Sequence, residues 1–397
     1  MGPIIYSAEV SEIQSMALAE TGLILLVLGI LAYVAVRVRF SVVPFYLALG
    51  LALGEGGLFP LSLSETFLTT GAQLGAILLL LMLGLEHSGP DLVGAFLKRK
   101  SIGLIDFLAN ALPGALIALI LGWGVVGAVV LGGITYVSSS GISSQMMKET
   151  GWRGSELSKR VVAVLVIEDL ALAPYLSLIT TLVAGAAFVT GAISVSAAFV
   201  ITALALFLSF KGENALGKIL NTQAQGGLLL TVFGAALLAA GSAEMIGFSS
   251  AVAAFLVGLL LTGEVAQAVR LRLSPLRDLF AAIFFLFFGL SVSPAEILPV
   301  LPLALLLAAL GIIGKLLVGW IAARDMSDPS AWKRAGAFLI PRGEFSIVIA
   351  GLAAATWFGG KLQALTITYV LLTSLAASIA LRAFRSSLEN PATKKKP

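Results

Sequence analysis

Two carboxylates, Glu168 and Asp169, stand side by side in an otherwise apolar run that covers residues 162–184. A run of that length has the reach of a membrane-spanning helix. An acid near the middle of such a helix costs roughly 2.5–3.5 kcal/mol on insertion, so it needs a counter-charge, a proton or a water-filled cavity. Neighbouring residues on a helix point about 100° apart. One carboxylate can therefore face a cavity while the other meets a partner helix. That chemistry is ionic: the holding of a proton or a cation.

Other polar groups sit in apolar surroundings and belong to the same account. Lys315 lies in LGIIGKLLVGW, too deep for easy snorkelling, so a buried acid is expected beside it, and Glu168 is the economical partner. Arg342 and Glu344 flank Gly343 in FLIPRGEFSIVIAG, where Pro341 removes a backbone donor and predicts a broken helix; an internal salt bridge between the two is the simplest use of their charges. GGITYVSSSGISS, residues 132–144, gathers glycines and hydroxyls, including Thr135, Ser138 and Ser139, in mid-span. Such a run weakens helical order and offers carbonyls and hydroxyls in place of a cation's water shell. Asp106 is a further acid within a span, six residues from Lys100, and reads as structural or as reaching the interface.

The composition demands the membrane. Hydrophobic residues make up 59% and charged residues 12% of the 397, and the mean hydropathy is +1.04. A soluble domain carries about twice that charge. Cuts at charges, prolines and polar clusters give thirteen spans: 17–36, 39–54, 65–85, 101–121, 125–147, 159–184, 190–210, 224–243, 246–262, 276–292, 299–323, 333–357 and 362–384. The second and ninth are short. With the N-terminus outside, 22 of the 25 Lys and Arg fall on the cytoplasmic side, as the positive-inside rule requires. This disposes of nucleic acid as the reason for the net charge of +4. The expected organisation is an extracellular segment 1–16, a transmembrane domain 17–384 and a short basic cytoplasmic tail 385–397, with no cleavable signal peptide.

The fold class expected is an all-α polytopic membrane protein with two broken helices, the fifth and the twelfth span. They are seven positions apart, an odd offset that inverts orientation. Spans one to six and eight to thirteen thus suit an inverted repeat, in which broken helices cross at the midplane beside a substrate site. Other features carry no function. GWGVVG, residues 122–127, fits a dinucleotide pattern but joins two membrane helices without a strand. His87 reads as an interfacial anchor, and the absence of cysteine excludes disulfides. No metal-ligand cluster, nucleophile–histidine pair or phosphate loop is present, and the chain reads as a transporter rather than an enzyme.

Five segments in order resemble the second monovalent cation:proton antiporter family, the Kef-type exchangers: QLGAILLLLMLGLEHS (73–88), SSSGISSQMMKE (138–149), IEDLALAP (167–174), FFLFFGLSVSP (284–294) and PRGEFSIVIAG (341–351). The resemblance implies an inverted-repeat antiporter fold of about thirteen helices. It makes Asp169 the aspartate that binds cation and proton. Glu168 stands where relatives carry Gln, Asp or Asn, and Lys315 is the lysine that pairs there. Thr135, Ser138 and Ser139 fall near the hydroxyls of the ion site, and Glu344 matches a buried glutamate. It further implies alternating-access exchange of K⁺ or Na⁺ for protons and a homodimer in a prokaryotic plasma membrane; no resident cofactor is expected. The sequence departs from typical Kef exchangers in one respect: the large nucleotide-binding C-terminal domain they carry is not expected here. The PRGEF form resembles shorter exchangers that work with a separate cytoplasmic regulatory subunit. A cation channel, or an organic-anion symporter using Arg342 or Lys315, are the alternatives the residues leave open.

Overall fold

The computed structural model describes residues 2–38, 40–54, 56–57, 65–86, 89–152, 154–185, 225–245 and 249–383, with a few single positions between 196 and 207. Among these residues the chain is helical throughout, without a strand. The helices are α1 (Gly2–Val38), α2 (Val43–Leu53), α3 (Glu65–Glu86), α4 (Gly89–Ile120), α5 (Gly124–Tyr136), α6 (Ser140–Glu149) and α7 (Glu156–Val183). They continue as α8 (Gln225–Met245), α9 (Ser250–Leu260), α10 (Gly263–Leu290), α11 (Ile297–Ala323), α12 (Ala331–Leu339), α13 (Glu344–Leu352) and α14 (Gly359–Ala383).

Ten spans in the described residues are long and apolar enough to cross a membrane, counting α5 with α6 and α12 with α13 as one span each. The short second and ninth spans appear as α2 and α9, of 11 residues each. At 1.5 Å per residue these reach only about 16 Å, about half of a hydrocarbon core. The seventh expected span, 190–210, lies almost wholly outside the described residues, as do His87 and the tail 385–397. Two helices begin earlier than the hydropathy suggests: α4 already includes Lys98 to Lys100, and α10 includes Arg270 and Arg272. Lys and Arg are good helix formers, so a helix does not stop where the apolar window stops. Likewise α1 starts at Gly2, ahead of the apolar window that begins at residue 17.

Packing divides the helices into two bundles. One comprises α1, α2, α3, α8, α9 and α10; the other α4 to α7 and α11 to α14. The bundles meet chiefly where α7 touches α9, α14 touches α2 and α13 touches α10. The second bundle holds every candidate site residue, from Asp106 to Glu344, and it includes α4, which packs on α5, α7 and α11.

Close glycine contacts expose the inverted repeat. A Cβ on Gly50 of α2 would lie 2.2 Å from Leu286 O and 2.7 Å from Gly289 Cα of α10. A Cβ on Gly258 of α9 would lie 2.3 Å from Leu81 O and 2.9 Å from Gly84 Cα of α3. An inversion that maps α2 onto α9 and α3 onto α10 turns the first contact into the second. In the other bundle Gly114 of α4 presses on Leu131 O of α5, and Gly319 of α11 presses on Gly336 of α12, again as mates. Backbones this close leave no room for a methyl group. Gly84→Ala and Gly289→Ala are each expected to lower the melting temperature of the detergent-solubilised protein, at a cost of about 1–3 kcal/mol. Gly22→Ala, whose Cβ would meet nothing within 4 Å, should melt like the parent.

Candidate ion and proton site

The site is built on two interruptions. Helix α5 ends at Tyr136, and its C-cap Val137 is extended (φ −79°, ψ 125°) before α6 starts at Ser140. Helix α12 ends at Leu339, and α13 starts at Glu344 beyond the non-helical residues 340–343. Each break frees backbone groups that lipid cannot satisfy. The two broken helices satisfy one another. The Ser139 amide donates to Pro341 O at 2.8 Å. Ser138 Oγ donates to Leu339 O at 2.8 Å, and Ser143 Oγ to Phe338 O at 2.6 Å. In return Ser346 Oγ donates to Ile134 O at 2.9 Å. The hydroxyls that the sequence places in mid-span are therefore spent largely on the crossing.

Charge completes it. The C-terminal ends of α5 and α12 carry partial negative charge, and the N-terminal ends of α6 and α13 partial positive charge. Arg342 serves the negative ends. It donates to Thr135 O from Nη2 at 2.8 Å and Nε at 3.1 Å, and from Nη1 to Ile340 O at 2.7 Å and Leu339 O at 3.1 Å. Glu344 serves the positive ends. It lies in the first turn of α13, and its carboxylate accepts from Ser139 Oγ at 2.6 Å and from the Gly141 amide of α6 at 3.4 Å. The expected Arg342–Glu344 salt bridge is thus not formed. Freed carbonyls and amides at four helix ends claim both side chains instead.

Beside the crossing lies a buried ionic cluster. Lys315 of α11 is fully buried, with Nζ 2.7 Å from Asp106 Oδ1 and 3.1 Å from Glu168 Oε1. The expected Lys315–Glu168 pair is present. Asp106, read as structural or interfacial, is in fact buried in the cluster and makes the shorter contact. Asn110, one turn along α4, donates to Asp106 Oδ1 at 2.9 Å and accepts from Arg342 Nη2 at 3.4 Å. The Tyr136 ring lies under the lysine, 5.7 Å from its centroid. Glu168 in turn accepts from the Ser138 amide and, at 3.2 Å, from Ser138 Oγ. One chain of contacts thus runs from Arg342 through Asn110, Asp106, Lys315 and Glu168 to Ser138.

The sequence candidates divide accordingly. Ser138, Glu168 and Lys315 come together, as do Ser139 and Glu344. Thr135 joins through its carbonyl, while its hydroxyl donates to Asn110 O at 2.8 Å and back to Leu131 O at 3.0 Å, away from the acids. Asp169 is buried, 1% exposed, on the same turn as Glu168 and about 100° around the helix from it. Asn110 is the residue that sequence reading missed. Its signal is the i, i+4 spacing from Asp106 on an otherwise apolar face.

A polytopic bundle with crossing half-helices and buried acids beside them defines a secondary transporter of the inverted-repeat antiporter kind. The chain belongs to the family described as sodium/hydrogen exchanger, transmembrane, whose pattern matches residues 22–385. It is 30% identical over 370 residues to the K⁺/H⁺ antiporter subunit KhtU of Bacillus subtilis, covering 90% of each chain. It is 31% identical over 379 residues to the ammonium/H⁺ antiporter subunit AmhT of Alkalihalophilus pseudofirmus, covering 94% of each. The glutathione-regulated potassium-efflux protein KefC of Klebsiella pneumoniae is 31% identical, and 59% of its length is matched. The Kef-type resemblance of the motifs is borne out by these relatives. In fold, the chain superposes on the sodium/proton antiporter MjNhaP1 of Methanocaldococcus jannaschii with a TM-score of 0.60 at 16% identity, covering 95% of this chain and 98% of that one.

The cluster makes a stability prediction. Lys315→Met would strand the buried Asp106 and Glu168 without a cation, at a cost of roughly 3–5 kcal/mol. A melting curve of the purified variant, or its failure to accumulate in the membrane, reads this. A variant that melts like the parent would show that Lys315 is not the counter-charge of the two acids.

Proposed function

We propose that the chain exchanges K⁺ or NH₄⁺ for protons by alternating access, with Asp169 as the shared carrier. One observation supports this above the rest: the crossing of α5–α6 with α12–α13 is fully engaged by Arg342, Glu344 and serines, directly beside a buried acid pair. Around it stand four acids, Asp106, Glu168, Asp169 and Glu344, and two cations, Lys315 and Arg342. That balance suits a cationic substrate. An organic-anion symporter would need a free arginine or lysine, whereas Arg342 is bound to carbonyls and Lys315 to two carboxylates. Na⁺, the other ion expected from the motifs, has support in the family's description; relatives that match almost end to end are named for K⁺ and NH₄⁺.

In this reading Asp169 holds either a proton or the dehydrated cation, because its one charge serves each in turn. The bundle of α4 to α7 and α11 to α14 moves against the other as a body and presents the site to either side. The hydrogen bonds of the crossing stay intact, since all of them lie within one bundle. Two relatives are named as antiporter subunits, which supports a separate partner subunit here, placed on the cytoplasmic side. A homodimer in a bacterial-type plasma membrane, with the N-terminus outside and the C-terminus inside, completes the proposal.

Asp169→Asn keeps the volume and removes the charge. In proteoliposomes loaded with a pH-sensitive dye, K⁺-, NH₄⁺- and Na⁺-driven proton movement should fall to the level of empty vesicles, with the protein still folded and inserted. Exchange near the parent rate would move the carrier elsewhere; conductance without proton counterflow would make the protein a channel. For topology, single cysteines near Lys98 and Lys218 in this Cys-free chain should label only from the cytoplasm, and those near Ser62 and Glu296 only from outside. External labelling at Lys218 would overturn the arrangement.

A further inference from the structure

A lysine with two carboxylate partners poses a question that a simple pair does not. Lys315 Nζ lies 2.7 Å from Asp106 Oδ1 and 3.1 Å from Glu168 Oε1, and all three side chains are at most 1% exposed. Asp106 is held in place: Asn110 Nδ2 donates to its Oδ1 at 2.9 Å and to its backbone carbonyl at 3.0 Å. Its Oδ2, also buried, has no hydrogen-bond partner among the described residues, so the carboxylate has capacity to spare. Among the described residues, Glu168 is held on its other side by Ser138 alone, at the extended break of α5. The charged or titratable groups against the lysine are Asp106 from α4, Tyr136 from α5 and Glu168 from α7, and Asp169 follows Glu168 about 100° around α7. Arg342, between α12 and α13, and Tyr369 of α14, over whose ring Arg342 lies at 5.8 Å, stand behind Asn110.

A buried ammonium that loses its last carboxylate must lose its proton as well. With Asp106 present, Glu168 can turn from Lys315 toward a cation on Asp169 and leave the lysine paired. We propose that Asp106 is a positioning residue for the exchange: it retains Lys315 when Glu168 engages the transported cation, so that Glu168 becomes a cation ligand and Lys315 keeps its proton throughout the cycle. The balance is then one for one. A cation enters, one proton leaves Asp169, and no N–H bond breaks at Lys315, so no net charge crosses the membrane. Without Asp106 the same movement of Glu168 would discharge Lys315; two protons would leave per cation, and exchange would carry charge.

This rests on the exchange reading above, and two measurements separate the two. The first is K⁺/H⁺ exchange in proteoliposomes under imposed membrane potentials. The parent should be indifferent to potential. Asp106→Asn should raise the half-saturating K⁺ concentration by roughly tenfold, the scale of one charge-assisted hydrogen bond, with a smaller loss of maximal rate, and should make the rate respond to potential. Asp106→Glu restores the charge and should restore indifference to potential. A parent driven by potential, or an Asp106→Asn variant with the parent's half-saturation and no response to potential, would overturn the proposal. The second measurement needs no transport. Glu168→Gln and Asp106→Asn should each lower the melting temperature by less than half as much as the double variant, because only the double leaves Lys315 alone. Glu168→Gln melting as low as the double would show that Asp106 retains nothing. Should Asp106→Asn fail to fold, Asp106→Ser carries both readouts. A parent that moves no proton with K⁺, NH₄⁺ or Na⁺ would overturn the exchange reading, while the melting series would still decide whether Asp106 holds the lysine.

Discussion

Everything in the second bundle depends on one constraint: in lipid, a broken helix must find partners for the backbone groups it frees. Two breaks at one level present four helix ends, each with roughly half an elementary charge. The solution here uses few residues. Serines of each broken helix reach carbonyls of the other. Arg342 gathers the carbonyls of both C-terminal ends, and Glu344, two residues on in the first turn of α13, takes donors at the N-terminal end of α6. Opposite charges so near in sequence serve opposite poles of the crossing, so the crossing is closed electrostatically without Lys315. The lysine is left for the acids.

The inverted repeat supplies the frame but not the chemistry. Glycine contacts of α2 with α10 and of α3 with α9 are mates, and so are those of α4 with α5 and α11 with α12. The polar groups break this symmetry. Asp106 and Asn110 lie on α4, whereas its mate α11 carries Lys315, so two related helices bring opposite charges to one contact. Helix α7 carries Glu168 and Asp169. Its mate α14 carries Thr373 and Ser374, which bond the backbone of Arg342: the Arg342 amide donates to Thr373 Oγ1 at 3.3 Å, and Ser374 Oγ donates to Arg342 O at 3.2 Å. The two halves thus offer corresponding positions, acidic on α7 and a support for the arginine on α14.

Legibility followed cost. An acid or a lysine in an apolar span stands out because it is expensive there, which is why Glu168, Asp169 and Lys315 could be picked and two of them paired from sequence. The breaks were legible from Pro341 and from the glycine and serine run before Ser144. Asp106 was harder, because Lys98 to Lys100 suggested an interface about 9 Å away along the helix. Helix α4 instead runs on through those lysines, and Asp106 faces α11 rather than water. Arg342 and Glu344 were misjudged because proximity in sequence suggested a pair. The spacing itself argues otherwise, since i and i+2 do not share a helix face, and the orphan groups of four helix ends outweigh one another's attraction for a charge two residues away.

The division into bundles bears on how such a site can move at all. Every hydrogen bond of the crossing, and both contacts of Lys315, join helices of one bundle. A displacement of that bundle against α1–α3 and α8–α10 therefore leaves the costly interior pairs untouched. Where the bundles touch, the elements differ in kind: α9 reads SAVAAFLVGLL, without a charge. Apolar surfaces exchange one set of contacts for another of similar energy as they slide, because dispersion and burial have no preferred direction. A polar network would hold one register and resist the others. With its hydrogen bonds inside one bundle and an apolar helix at the boundary, the site would stay rigid in any sliding of the two bundles.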